Sequence, residues 1–526
     1  MCAVTHRRPS SRRRRQQGHL GKPRGNLSPR VQAVGPEHFG IVAVDCAKAR
    51  SKWMLTDFYG RVLVPPTVVE HDRTAFDQML LVLRNALVEY KIKDVVVAVE
   101  RTGRYHRPVQ HAFANAGYDT RIVHPSISSY FREAATYDNK TDDTDLEGIF
   151  RATVNGFGFQ EQPWDAIYGP LQIWSRRRSD MVGKTTLLRC QIGEYLEACL
   201  PGYSRCFEDI FRSKTALPVA RHFATPQSIV KAGTSGLTKV ARLAGVQVHR
   251  RTLVRILAWA QAAPVPDEGA PLYHELVCSL DDDRITKEKQ IAAIERELVS
   301  LLVQAPYVRL LALAGINVVL ASQFAAEAGP IVNYASAKVI TGRAGLYPRR
   351  YQSDEVDHTS GKLARRGNRR LRCALLMSAD TLLRCNDYFG VLGRKWADQG
   401  KDPHDIHVRI AGRYTRIAFQ MVSGKEGFRH PACHDTPAVL SKLIKFHNDH
   451  DIEPETVRTN MKRAAAQLPP AEQARERVAL NAQLEAARGS RGRGPKSLRD
   501  ILPAVLDQLG GNLAELIQST MSGENL

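Results

Sequence analysis

Asn139-Lys-Thr-Asp-Asp-Thr-Asp-Leu-Glu147 is the stretch on which the reading of this chain turns. Asp142 and Asp145 stand three apart, so a helix opening here carries both carboxylates on one face, one turn apart. Carboxylate oxygens in pairs suit hard divalent cations, provided other acids meet them in space. Upstream, two apolar runs each end in a lone acid: Ile41-Val-Ala-Val-Asp45 and Val95-Val-Val-Ala-Val-Glu100. A charge at the end of a buried strand is costly unless it is paired or bound to metal. Four acids on two strands and one helix point to a Mg²⁺ site for phosphodiester chemistry, with two ions per site expected. Asp143 and Glu147 are nearby acids that could substitute.

The residues around these acids alternate between the two main periodicities. Strands are expected at 40–44, 53–58, 61–69, 94–99 and 119–123, with helices at 75–90 and 105–116. Three strands followed by strands alternating with helices give an α/β layer domain over residues 37–160. The first and fourth strands should be neighbours, which sets Asp45 beside Glu100. That order is the one an RNase H-like fold has.

Outward from this domain the composition changes. Residues 1–36 hold nine Lys or Arg and no Asp or Glu, and read as a disordered basic arm. Residues 161–305 read as helical. Ile291, Ile294, Leu298 and Leu301 form a coiled-coil-like seam that suggests oligomerisation, the alternative being a helix pair within one chain. Residues 306–428 form a second, mainly α region. There Leu310–Ile316 and a following apolar helix suggest a helix-hairpin-helix, and Arg343 to Arg372 carry nine basic residues against three acids. Residues 429–526 are a polar tail without an assigned role.

The 526 residues carry 75 Lys plus Arg against 54 Asp plus Glu, a net charge of +21, so a polyanion is the expected partner. Nine cysteines without a CxxC pair fit a reducing compartment. No apolar run approaches the ~20 residues that span a bilayer. The N-terminal arginines are followed by no apolar core, so a cytoplasmic protein without membrane attachment is expected.

Cutting a phosphodiester with water needs only the metal site; keeping the bond energy for rejoining needs a covalent link through a side-chain hydroxyl. Ser353, in the arginine-rich loop after Pro348, is the candidate, with Arg343, Arg349 and Arg350 placed to stabilise phosphate charge. Residue chemistry alone leaves Ser360 open. Lys48 and Lys140 could neutralise phosphate beside the acids. Two other motifs are set aside. Val182-Gly-Lys-Thr-Thr186 lacks the earlier glycine of a phosphate loop. His430, Cys433, His434, His447 and His450 fit no standard zinc spacing.

Asp45-Cys-Ala-Lys48, Glu100-Arg-Thr-Gly103 and Lys140-Thr-Asp-Asp-Thr-Asp145 together resemble the RuvC-like domain of the DEDD transposases of the insertion-sequence-110 family. Ala314-Gly-Ile316, Gly345-Leu-Tyr-Pro348, Ser353 and Arg365-Arg-Gly-Asn368 resemble that family's transposase domain. The resemblance covers about residues 38–425. It departs at Leu146, where the family often has alanine, and at Asp354, where glycine is usual. It implies that Asp45, Glu100, Asp142 and Asp145 bind Mg²⁺. It also implies that Ser353 forms a phosphoserine link to DNA, leaving a free hydroxyl for strand exchange. It further implies nucleic-acid contacts from Arg365, Arg366 and Asn368, a structured guide RNA paired with donor and target DNA, and a homodimer or homotetramer. The alternative from the residues is a RuvC-like, structure-selective DNA endonuclease that uses water.

Overall fold

A computed structural model of the chain describes residues 25–135, 141–161, 165–348, 351–353, 356–358, 363–364, 367–424, 430 and 432–469, with only the backbone at 351–353 and 356–358. The chain divides into two compact units, residues 1–164 and 165–526.

The first unit is built on a five-stranded mixed sheet. Its strands are β1 (Phe39–Cys46), β2 (Arg50–Asp57), β3 (Val62–Glu70), β4 (Asp94–Glu100) and β5 (Asp119–Val123), in the order β3-β2-β1-β4-β5. β1 pairs antiparallel with β2 and parallel with β4, so the expected neighbourhood of the first and fourth strands is present. The order is compatible with the expected RNase H-like fold. Helices α2 (Arg73–Glu89) and α3 (Arg107–Asn115) join the later strands.

Strand alternation assigns the two faces. Val42, Val44, Val97 and Val99 pack with Leu83 and Phe113 in one core. Ala43 and Ala98 point the other way and meet Leu146, Ile149 and Ala152 of α5 (Asp142–Val154). The small alanines let α5 approach the sheet closely. Thr141 caps α5 with a reciprocal capping box through Thr144, and Asp142, Asp143 and Asp145 fill the first turn, where negative charge is favoured. The helix expected from the acidic stretch therefore starts at Asp142.

Two elements lie outside the expected pattern. Residues 28–34, inside the stretch that reads as a disordered arm, form helix α1 (Ser28–Val34). Leu27 and Val31 are buried with Phe39, Ile41 and Val96, and Arg30 pairs with Asp94 at 2.6 Å and Asp119 at 2.5 Å. The density of basic residues hides these anchors. The other element is helix α4 (Pro125–Ala135). It lies against α5, where Gly148 has no room for a Cβ, which would sit 2.6 Å from the Ser128 carbonyl oxygen.

Among the described residues the second unit is helical apart from a short hairpin. Helices α6 (Tyr168–Cys199) and α10 (Ala270–Leu302) run antiparallel, since the ion pairs Arg178–Glu295 and Arg189–Glu288 ascend one helix and descend the other. Ile294 and Leu298 of the expected seam are buried in the same core as Leu171 and Met181 of α6, so the seam closes within the chain. Between these helices, α7 (Ala216–His222), α8 (Pro226–Leu243) and α9 (Arg250–Ala262) gather around a separate core.

Leu310–Ile316 is not the first helix of a hairpin pair: residues Pro306–Ala312 form a 3-10 helix, and a turn at Gly315 (φ 91°) leads into α11 (Val318–Ala328). A Cβ at Gly315 would stand 2.8 Å from the Thr381 carbonyl oxygen, which is why the turn can pack there only without a side chain. The order continues through α12 (Ala337–Ala344), the hairpin β6 (Tyr351–Ser353) and β7 (Val356–His358), α13 (Arg369–Cys385), α14 (Asp387–Asp398) and α15 (Pro403–Ser423).

Helices α16 (Thr436–Asp449) and α17 (Pro454–Gln467) belong to the main core through Leu443, Ile444, Met461 and Ala464. The boundary expected at 428 therefore falls inside one packed unit. No helix among the described residues is long and apolar enough to cross a membrane.

Candidate active site

Asp45 and Glu100 owe their placement to strand parity. Val44 pairs with Val99 across β1 and β4, so the next residues on the two strands, Asp45 and Glu100, stand side by side. Both share the face of Ala43 and Ala98, the face that α5 covers. Asp145, in the first turn of α5, is brought to the same place. Its carboxylate is ion-paired with Arg132 of α4, both side chains being 15% exposed. Ser128, also on α4, donates a hydrogen bond from Oγ to Glu100 Oε2 at 2.9 Å.

The electrostatics carry the mark of crowded carboxylates. Burial pushes the Glu100 carboxyl above its ordinary range, Asp45 and Asp145 push it further, and Ser128 and Arg132 oppose them. Burial, with Asp45 and Glu100 close by, drives the Cys46 thiol up to about 12. Asp45 and Asp145 thus both act on Glu100. A divalent cation fits this donor set chemically: the ligands are hard oxygens, and added positive charge would relieve their repulsion. Arg132 already supplies one such charge. Among the described residues no group of three His, Cys, Asp or Glu side chains is arranged as a ready metal cage.

The other expected residues divide three ways. Asp142 is exposed at the start of α5, and the negative charges that act on Glu100 are those of Asp45 and Asp145. Lys48 is exposed in the turn after β1. Arg343 donates to the Tyr334 hydroxyl and the Ala328 carbonyl oxygen, and Asn368 caps α13 by accepting from the backbone N–H groups of Arg370 and Leu371. Asn368 also donates to Glu327 Oε2 at 3.0 Å, so both residues are engaged within the second unit. Ser353 pairs through its backbone with Val356 in the β6–β7 hairpin. Lys140, Arg349, Arg350, Arg365, Arg366 and Ser360 lie outside the described residues.

Three site residues are absent from the expectations drawn from sequence. Ser128 and Arg132 go with their helix, although Pro125 at the helix start and Ile127 and Phe131 at helical spacing mark it. Lys52 sits opposite Asp45 on β2 and reaches Asp143 at 2.6 Å. The period-two spacing of Lys52, Met54 and Thr56 is the signal that sets it on the α5 face.

A family model described as "Transposase", that of the DEDD transposases of the IS110 group, matches residues 42–201. A second, "Transposase IS116/IS110/IS902 family", matches residues 307–391. Two separate stretches of the chain thus match models of the IS110 family of transposases. Asp45, Glu100, Asp142 and Asp145 fall in the first matched stretch, and Arg343 to Asn368 in the second. A "Probable family 20 transposase" of Pseudomonas aeruginosa is 28% identical over 181 residues, which is 34% of this chain. The chain spans about half, 52%, of that relative's length.

Proposed function

We propose that the chain is a DNA transposase that cleaves and exchanges strands at an Mg²⁺-dependent acidic centre, with Ser353 as nucleophile and a structured RNA as guide. The observation that carries this reading is the convergence of Asp45, Glu100 and Asp145 on one sheet face in a stretch that matches the IS110-family model. Asp45, Glu100 and Asp145 would hold the metal, with Asp142 at the exposed edge of the same helix. When bound, the metal would polarise the scissile phosphate and stabilise charge on the attacking and leaving oxygens.

The chain's own residues do the rest. Ser128 orients Glu100 through its hydrogen bond. Lys52 neutralises Asp143 and keeps that acid from adding to the central charge. The hydroxyl of Ser353 forms a new P–O bond as a P–O bond to deoxyribose breaks; its proton ends on the departing hydroxyl. That hydroxyl, or one from another strand, can then reverse the step and free the serine. Bond energy is conserved throughout, which hydrolysis would not allow. The RNA would supply sequence by base pairing, leaving the protein to hold backbones. Homodimers or homotetramers, and a cytoplasmic setting, belong to the same reading.

The test is a suicide DNA substrate incubated with protein, Mg²⁺ and RNA transcribed from the flanks of the gene, resolved on denaturing gels. A protein–DNA adduct is expected, lost in Ser353→Ala and in Asp45→Asn. Cut ends with no adduct would replace the reading with a water-using, structure-selective endonuclease. Adduct surviving Ser353→Ala but lost in Ser360→Ala would move the nucleophile within the loop.

A further inference from the structure

Residues 202–306 lie between the two stretches matched to the family, and their middle has an unusual charge balance. From Ile210 to Pro266 there are nine Lys or Arg and no Asp or Glu. Arg221 is neutralised by Asp281 and Asp282, and Arg212 by Asp209. The other seven have no ion pair with a described carboxylate. The module has its own core, so its exposed charges are displayed on a folded body and not on a loose segment.

Helix α9 concentrates this charge. Leu253, Ile256 and Ala260 face inward at 7%, 0% and 5% exposure. Trp259 also turns in, donating its indole N–H to the Pro201 carbonyl oxygen at 3.1 Å. The opposite face exposes Arg250, Arg251, Val254, Arg255 and Ala258, which line one shallow groove of about 560 Å³. The Arg255 guanidinium stands 5.9 Å from the centre of the Phe207 ring, which fixes its position. His249 gives the helix start no side-chain cap, so the first-turn N–H groups add to the positive end.

We propose that this face of α9 is a docking surface for the phosphate backbone of duplex DNA, bound without regard to sequence and separate from the acidic centre. Charge density favours this occupant. Arg250 to Arg255 span about 7.5 Å of helix axis, a length over which duplex DNA carries roughly four charges. Three guanidinium groups match that density. Val254 and Ala258 offer apolar surface to the sugar edge. Single strands are a poor fit, because no aromatic ring lines the groove for bases to stack on; Trp259, Tyr203 and Phe223 are turned into the core, and Arg255 stands over the half-buried Phe207 ring. The choice of DNA rests on the proposed transposase reading, but binding at this face needs neither Mg²⁺ nor cleavage.

The experiment measures the affinity of the full chain for a duplex of arbitrary sequence by fluorescence anisotropy, without Mg²⁺, across a salt series. R250A/R251A/R255A is compared with R458A/K462A/R463A, which removes three exposed charges from α17. The first variant should lower the slope of log affinity against log salt by about 2 to 3, at ~0.9 for each phosphate no longer neutralised; the second should change it by less than 1. An unchanged slope, or equal loss in both variants, overturns the proposal. Loss of binding to an RNA hairpin or to anionic phosphatidylserine vesicles with DNA binding intact overturns it too. Should the triple variant fail to fold, arginine modification with phenylglyoxal on the wild-type chain decides. Duplex must protect Arg250, Arg251 and Arg255, and no protection refutes the surface. Should the wild type bind duplex through this face but fail to cleave it when Mg²⁺ and RNA are supplied, the catalytic reading alone would fall.

Discussion

At the scale of single residues, Arg132 is the balance point of the acidic centre. It holds Asp145 while Asp45 and Asp145 raise the carboxyl of Glu100. Removing one partner of a largely buried ion pair leaves the other charge uncompensated. Arg132→Gln should therefore destabilise the chain without metal by about 1–3 kcal/mol. Millimolar Mg²⁺ should restore more stability to the variant than to the wild type, because the ion replaces the lost charge. Thermal melting with and without Mg²⁺ checks this; equal Mg²⁺ shifts in both proteins would mean that Arg132 and metal do not compete. Asp45 and Glu100 are legible in the sequence because a lone acid ending an apolar strand is a local pattern, and Asp145 because its spacing from Asp142 marks one face of a helix start. Arg132 and Ser128 are not, since their roles arise only when α4 meets α5 in space. Arg343 and Asn368 show the converse: as sequence they are polar groups in a basic loop, and the fold commits them to Tyr334 and to the start of α13.

Among the elements, the packing of α4 on α5 sets the geometry of the site. Gly148 on α5 faces the Ser128 carbonyl oxygen and the Arg132 side chain, and a methyl group at this position would stand only 2.6 and 3.1 Å from them. Gly148→Ala must push the helices apart, and overpacking of this kind costs about 1–3 kcal/mol. Because the same shift withdraws Ser128 from Glu100, DNA cleavage should fall by more than the loss of folded protein explains. Urea titration together with cleavage rates at full folding tests the pair of effects; a destabilised variant with unaltered cleavage would show that α4 does not position the acids. Strand order and the start of α5 can be read from periodicity and capping residues. Helix α1 cannot, because nine basic residues mask the apolar pair Leu27 and Val31 that anchors it. The seam on α10 is legible as a seam, but periodicity says nothing of which helix fills it.

Across the second unit, stability depends on links between distant parts of the chain, and two of them give measurable consequences. Burial alone would raise the Glu327 carboxyl, but hydrogen bonds from Arg176 and Asn368 and the charge of Arg176 outweigh it and hold the group below its usual 4.5. A carboxyl depressed in the folded state stabilises it above the unfolded value, and that share is lost as pH falls through the folded one. Stability of the wild type should drop below about pH 4.5, and Glu327→Gln should flatten that part of the curve while lowering stability at pH 7. Urea midpoints from pH 3 to 7 measure both; parallel curves would exclude Glu327 as a source of acid sensitivity. The second link is Lys442 of α16, whose ammonium donates to the carbonyl oxygens of Leu311 at 2.6 Å and Leu313 at 2.8 Å. Burial lowers its pKa to about 8, yet at neutral pH it remains the charged donor that joins the last helices to the turn before α11. A polar composition makes this region look like a tail, whereas α16 buries one whole face at helical spacing: Val439, Leu440, Leu443, Ile444 and His447. Ending the chain at residue 428 should therefore expose the core and give aggregated protein. Ending it at 469 keeps both helices and the Lys442 hydrogen bonds, and should give a cooperatively melting protein where the 1–428 chain aggregates. Size-exclusion chromatography and thermal melting of the two truncations decide, and a well-folded 1–428 chain would contradict the packing of α16 and α17 into the core.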